Sequence, residues 1–176
     1  MSADCTNFVS QCLWVGYGGD QGNSWYSTSG VAACRQLAYQ DFRQIPGSSN
    51  WFGRSQISSG VYPSGPWMRV QELYPYITTT SAGPRANRYN NLSLYTSSSV
   101  TLDRGYVLQL AHSASNTRYF HSVMVVVGGT TMSNATSIYV GQHSSDNGYR
   151  QLAELIASNS APYVRIIKPI TGSFNS

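Results

Sequence analysis

The chain has 176 residues, the usual length of a single domain and enough to bury a hydrophobic core, so we expect one domain over residues 1–176. Only 10% of the residues are charged, the formal net charge is +4, and the basic residues stand singly along the chain. This scatter argues against nucleic-acid binding, and the sequence has no run of about 18 apolar residues that would predict a membrane span.

The first half of the chain is predicted to be helical. Residues 4–15 carry apolar side chains at helical spacing and are followed by a glycine-rich loop that ends the helix. Residues 31–45 repeat this spacing and predict a second amphipathic helix. Residues 67–77 predict a third, short helix, which we expect to be broken at Pro75 because proline lacks the N–H that continues the hydrogen-bond ladder.

The second half has a different character. It contains four short runs rich in β-branched and aromatic residues, separated by clusters of Ser, Thr, Asn and Gly, which is typical of antiparallel strands. These runs are "GYVLQLAH", "FHSVMVVVG", "SIYVGQH" and "YVRIIKPI". The segment between the last two predicts one or two helical turns. Helices followed by strands indicate an α+β fold, with the helices packed on one face of an antiparallel sheet.

Cys5 is the first candidate for catalysis. Asp4 is a good N-cap and places Cys5 in the first turn of the first helix, where free backbone N–H groups and the helix dipole favour a thiolate. The same N–H groups are one arm of a candidate oxyanion hole. The alternative is that Cys5 is a buried core residue. Cys12 and Cys34 are either bridged or buried as small apolar residues.

The histidines supply a candidate base. If their strands form a hairpin centred near Met132, His121 lies directly opposite His143 and both rings project from one face. His121 would then act as the general base, and His143 would be the third polar residue that orients it. Polar neighbours of His143, such as Gln142, are alternatives for this orienting role.

Other kinds of site have weaker support. The three His and three Cys residues lack a zinc-binding spacing, and the seven carboxylates form no evident pair for a glycosidase. We therefore expect no metal and no organic cofactor. Trp14 and Trp67 belong to a set of aromatic residues that would either line a substrate cleft or pack in the core, and the cleft candidates also include Asp4 and Gln142.

The stretch "DCTNFVSQCLWVGYGG" resembles the signature of the bacterial putative amidase domain, a branch of the papain-like NlpC/P60 and CHAP cysteine hydrolases. The segments "PWMRVQELYPYI", "LDRGYVLQL", "HSVMVVVG" and "YVGQHSSDNGYRQL" resemble later parts of the same family in the same order. The resemblance implies a papain-like NlpC/P60-type core, with Cys5 as nucleophile, His121 as base and His143 as the third polar member. The chain departs from the family in having Arg104 and Gly105 where a Gly-Asp pair is common.

We therefore expect a cysteine hydrolase that cleaves an amide or peptide bond in peptidoglycan stem peptides through a thioester at Cys5. Acyl transfer or deamidation by the same Cys-His pair is an alternative, and so is a non-catalytic module that binds the cell wall. The polar composition and the net charge of +4 suit a monomer that is secreted or attached to the cell envelope. We also expect that an export signal and the family's upstream helices have been removed before residue 1.

Overall fold

The structure is a computed structural model of the chain. It describes residues 3–16, 51, 63–79, 83–88, 93–115, 118–143 and 148–173. The second predicted helix, at residues 31–45, lies outside the described residues, and so does Cys34. Cys12 is half-buried and carries a free thiol.

Four α-helices are present in the described part of the chain. They are α1 (Ala3–Gly16), α2 (Gly65–Met68), α3 (Val70–Thr79) and α4 (Leu152–Asn159). The first helix is confirmed almost to the residue, and the helical turns predicted between the last two strands are α4. The third predicted helix is two helices, because Arg69 adopts an extended conformation between α2 and α3.

The prediction that Pro75 breaks the third helix is wrong. Helix α3 continues through Pro75 to Thr79, although proline removes one hydrogen bond of the ladder. Leu73 and Ile77 lie one turn apart on the two sides of the proline, and both are almost fully buried in the same core. Burial of two large side chains on one helical face compensates for the missing bond, so tertiary packing overrides the local signal.

A sheet that contains seven of the strands in the described residues forms the centre of the fold. The strands are β1 (Gly83–Arg88), β2 (Ser93–Leu94), β3 (Thr101–Leu102), β4 (Val107–Ala111), β5 (His121–Val127), β6 (Thr130–Thr131), β7 (Tyr139–Gly141), β8 (Tyr149–Gln151) and β9 (Tyr163–Ser173). The sheet has the order β1-β9-β4-β5-β7-β8, β2 also pairs with β9, and every pairing is antiparallel. The four predicted strands are confirmed as β4, β5, β7 and β9, whereas β1, β2 and β8 were not predicted.

The sheet is covered on both faces, which corrects the expectation that helices pack on one face alone. Helices α1, α2 and α3 cover one face around a core that includes Val9, Leu73 and Val107. Helix α4 covers the other face, where Leu152 and Leu155 pack with side chains of β4, β5 and β9. The central strand β4 is therefore buried along its whole length. None of the described helices is long and apolar enough to cross a membrane.

The predicted hairpin between β5 and β7 is also corrected. The predicted register pairs Gly141 with Val123, whereas in the structure Gly141 pairs with Met124 and Val140 with Val125. The segment between these strands is more than a turn, because it contains β6, which pairs with β3, and a 3₁₀ helix at Met132–Ser137. A hairpin turn therefore does not set the register, and an irregularity in β5 after Val125 shifts it further.

Candidate active site

Cys5 lies at the start of α1, as the sequence predicts. The helix begins at Ala3, so Asp4 lies within the first turn and not at the N-cap position that was predicted for it. The backbone N–H of Cys5 is one of the first four of the helix, which have no acceptor within the helix. The thiol is 2% exposed and packs against Val70, Ala111 and Tyr119.

His121 is the first residue of β5, and its ring connects two other side chains. One side-chain hydrogen bond joins it to Cys5. Its Nε2 lies 2.8 Å from Oε1 of Gln142, which immediately follows β7 and is 3% exposed. Because an amide oxygen only accepts, Nε2–H is the donor, and Nδ1 is the nitrogen left to face the thiol. The structure thus joins Cys5, His121 and Gln142 in one line of hydrogen bonds.

His143 does not occupy the position predicted for it. Strand β7 ends at Gly141, and the backbone N–H of Gln142 bonds to the carbonyl of Gly148, so His143 lies outside the β5–β7 ladder. Its side chain is exposed, whereas the atom in contact with Nε2 of His121 belongs to Gln142. The reason is the register between β5 and β7, which differs by one residue from the predicted one. A shift of one residue places Gln142, instead of its neighbour His143, on the same face as His121.

The surroundings of Cys5 favour its ionised form. Burial has the largest effect and by itself raises the pKa of the thiol. The hydrogen bond to His121, the backbone N–H of Ser122, the charge of His121 and the hydroxyl of Thr6 together outweigh burial, so the pKa of Cys5 lies below its ordinary value. Cys12 shows the contrasting case, because burial raises the pKa of its thiol.

The pKa of His121 moves in the opposite direction. Burial pulls it down, but the hydrogen bonds to Cys5 and Gln142 and the charge of the thiolate raise it above its ordinary value, against a smaller lowering by the charge of Arg150. The thiol pKa below its ordinary value and the imidazole pKa above its ordinary value both favour a thiolate–imidazolium pair. Such a pair is a ready nucleophile with a proton donor next to it.

One known protein family matches most of the chain. The family model described as "Putative amidase domain" matches residues 1–167. The chain belongs to the putative amidase domain family. Membership of this family suggests that the chain hydrolyses an amide bond. Searches of curated proteins and of solved structures gave no match.

The aromatic cleft predicted for this amidase domain is not formed by Trp67. Trp67 is 3% exposed, its indole N–H donates to Oδ1 of Asn7 at 2.7 Å, and its ring centroid lies 4.5 Å from that of Trp51. It is therefore a core residue that fixes α1 to α2. The side chains of Asp4 and Trp14 lie outside the described part of the structure.

Sequence reasoning missed the polar residues behind the thiol. Thr6 and Ser122 are fully buried, and their hydroxyls lie 3.1 Å apart. The signal that identifies them is their adjacency in sequence to Cys5 and His121, since buried polar side chains are nearly always hydrogen-bonded to a neighbour. Among the described residues, no group of three His, Cys, Asp or Glu side chains is placed to hold a metal ion.

Proposed function

We propose that the chain is a cysteine-dependent amide hydrolase in which Cys5 is the nucleophile, His121 is the base and Gln142 positions the imidazole. The observation that carries this proposal is the hydrogen-bonded line from Cys5 through His121 to Gln142, at a helix start, in a member of an amidase family. A buried structural cysteine needs neither a histidine partner nor a lowered pKa.

The first half of the proposed reaction forms a thioester. The thiolate of Cys5 attacks the carbonyl carbon of the amide, and the carbonyl π electrons move to oxygen. The backbone N–H of Cys5 belongs to the first turn of α1, where N–H groups point out of the helix, and is suited to stabilise that oxyanion. Nδ1–H of His121 then protonates the leaving nitrogen, the C–N bond breaks, and the amine departs.

The second half releases the acid. Neutral His121 accepts a proton from a water molecule as that water attacks the thioester carbonyl, and the C–S bond breaks to restore the thiolate–imidazolium pair. Throughout, Gln142 accepts from Nε2–H, which keeps Nδ1 directed toward the thiol. The burial of Cys5 keeps bulk water away, so these charges interact more strongly than they would in water.

We propose bacterial peptidoglycan stem peptides as the substrate and a papain-like core as the framework. A helix carrying the cysteine at its start, packed on an antiparallel sheet that carries the histidine, supports the papain-like assignment. The net charge of +4 suits an anionic wall surface. Secretion or attachment to the cell envelope, and action as a monomer, complete this proposal.

The test is digestion of purified peptidoglycan with the intact protein and with Cys5→Ala. We expect the intact protein to release fragments with new amino termini, identified by mass spectrometry, and Cys5→Ala to release none above background. Cys12→Ala is the matched control, because Cys12 lies on the same helix and has no catalytic partner in the proposal. It should retain full activity.

Three outcomes separate the parts of the proposal. Full activity of Cys5→Ala would refute cysteine catalysis altogether. Inactivity of the intact protein on peptidoglycan, with cleavage of a different amide that depends on Cys5, would refute only the substrate. Products that carry an added amine instead of a new carboxyl group would indicate acyl transfer in place of hydrolysis.

A further inference from the structure

A row of polar side chains crosses three strands behind the proposed nucleophile. Arg165 on β9 pairs with Gln109 on β4, and Gln109 pairs with Ser122 on β5. Residues that face each other across neighbouring strands project from the same face, so the register alone places the three side chains side by side. Thr6 of α1 lies above the row, with its hydroxyl 3.1 Å from that of Ser122.

Gln109 is the central member, and all of its hydrogen-bonding capacity is used. It is fully buried, and its Nε2 donates to the carbonyl of Val70 at 2.9 Å and to the hydroxyl of Ser122 at 3.2 Å. Its Oε1 accepts from Nε of Arg165 at 3.0 Å and from a second nitrogen of the same guanidinium. A guanidinium only donates, so Arg165 fixes which end of the amide faces Ser122.

Arg165 is held as a cation. Its guanidinium carbon lies 3.7 Å from the ring centroid of Tyr74 and 3.6 Å from that of Tyr119, so it is enclosed between two aromatic faces. Burial lowers the pKa of Arg165 to about 10, which still leaves it charged at neutral pH. Arg165 is thus a desolvated positive charge at one end of the row.

The other end of the row is the proposed nucleophile. Oγ1 of Thr6 lies 3.8 Å from Sγ of Cys5, within the range of a hydrogen bond to sulfur. A thiolate only accepts, so the Thr6 hydroxyl directs its proton to Sγ and accepts from Ser122. Ser122 in turn accepts from Gln109. With a pure donor at one end and a pure acceptor at the other, every hydroxyl between them has one orientation.

We propose that Arg165, Gln109, Ser122 and Thr6 form a directed chain of hydrogen bonds that stabilises the thiolate of Cys5, with Arg165 as a positioning residue acting through the other three. Hydrogen bonds in a low-dielectric interior polarise one another, so a cation at the far end strengthens the final donor. The proposal deepens the proposed function, and it rests on Cys5 being the nucleophile.

Other groups face the thiol and must be separated from the chain. His121 of β5 is its direct partner, and Tyr119 and Tyr163 are the other titratable side chains of the same cluster, while Val70 of α3 contributes apolar surface. Burial raises the pKa of Tyr119, so its phenol stays neutral around pH 7. The alkylation profile is therefore interpreted as the coupled titration of Cys5 and His121.

The test measures the rate of Cys5 alkylation by iodoacetamide against pH, which reports the thiolate without needing a substrate. We expect Thr6→Val, which removes the hydroxyl at nearly constant volume, to move the thiolate titration upward by about one pH unit. Ser122→Ala should move it in the same direction, and Thr6→Ser, which keeps the hydroxyl, should restore the original profile. Unchanged profiles in Thr6→Val and Ser122→Ala would refute the chain.

Ser10→Ala is the matched structural control. Ser10 is a fully buried hydroxyl on the same helix, and it donates to the carbonyl of Trp67 at 2.9 Å and accepts from the indole N–H of Trp51. We expect it to lower the melting temperature as much as Thr6→Val does, yet leave the alkylation profile where it was. A shift of the profile in Ser10→Ala equal to that in Thr6→Val would mean that lost packing, and not the chain, controls the thiol.

A double variant tests whether Arg165 acts through the chain. Arg165→Met removes the charge and keeps an apolar stem, and we expect it to shift the profile upward in the wild-type background but to add little in the Thr6→Val background. Equal shifts of the alkylation profile in both backgrounds would show that Arg165 does not act through the chain of hydrogen bonds. If Arg165→Met does not fold, the double variant Thr6→Val/Ser122→Ala tests the chain instead. Because both residues belong to one chain of hydrogen bonds, the double variant should shift the alkylation profile no more than either single variant does.

The readout keeps the two proposals distinguishable. If Cys5→Ala retained hydrolysis while Thr6→Val shifted the alkylation profile, the proposed function would fail and the chain would stand. If Cys5 proved essential for hydrolysis while Thr6→Val and Ser122→Ala left the profile unchanged, the chain would fail and the proposed function would stand.

Discussion

Replacing Gln142 by Ala is the sharpest test of how the imidazole is held. The change removes the acceptor that lies 2.8 Å from Nε2 of His121. Because the side chain of Gln142 is 3% exposed, bulk solvent is a poor replacement for the lost acceptor. A hydrogen bond to a group that carries charge contributes about 1.5–3 kcal/mol, which corresponds to a loss of roughly 10- to 150-fold in kcat/KM.

The assay for Gln142→Ala is the initial rate of amide cleavage, together with the pH profile of Cys5 alkylation. Loss of the acceptor lowers the pKa of His121, so the thiolate should form at higher pH in the variant. Gln142→Glu keeps an acceptor of the same length and adds a negative charge, so it should raise the pKa of His121 and extend activity to higher pH.

His143→Ala is the matched control for this experiment. His143 is the exposed neighbour of Gln142, and it was the residue predicted from sequence to orient the base. We expect its replacement to change kcat/KM by less than about twofold, as surface substitutions usually do. The reasoning is refuted if Gln142→Ala retains wild-type activity while His143→Ala loses a factor of ten or more.

Four further outcomes are expected. Iodoacetamide at neutral pH should label Cys5 before Cys12, although Cys5 is the more buried thiol. Preferential labelling of Cys12 in a peptide map would mean that exposure, and not thiol pKa, governs reactivity. The pH profile of kcat/KM should be bell-shaped. It should rise as Cys5 ionises below its ordinary pKa of 9.0 and fall as His121 deprotonates above its ordinary pKa of 6.5. A value of kcat/KM that still rises beyond pH 9.0 would contradict this expectation. Leu108→Ala in the doubly covered strand β4 should cost about 2–5 kcal/mol in urea unfolding, and less than 1 kcal/mol would contradict full burial. Gly105→Ala should cost about 1 kcal/mol in the same assay, because φ is 88° there, and a stabilised variant would contradict that conformation.

Local sequence determined the elements that carry the proposed nucleophile and the proposed base. Apolar spacing and the glycine-rich loop after it predict α1, and with it the position of Cys5 at a helix start. A short run rich in β-branched residues predicts β5, which begins at His121. Both signals lie within about a dozen consecutive residues, so no distant contact is needed to read them.

Strand pairing was beyond the reach of these local signals. A period of two tells which residues share a face, but it does not tell which residue of the neighbouring strand they meet. The choice between Gln142 and His143 depends on that pairing, and it follows from the shifted register of β5 and β7. Pro75 is a related case, because burial of α3 outweighs the local preference of proline.

The sequence by itself determined that a cysteine begins a helix and a histidine begins a strand. Only the tertiary structure decided what surrounds them. Arg165, Gln109 and Ser122 are far apart in the chain and become neighbours because β4 lies between β9 and β5. Long-range pairing of this kind is set by the burial of both sheet faces together, which is a property of the assembled core and not of any one segment.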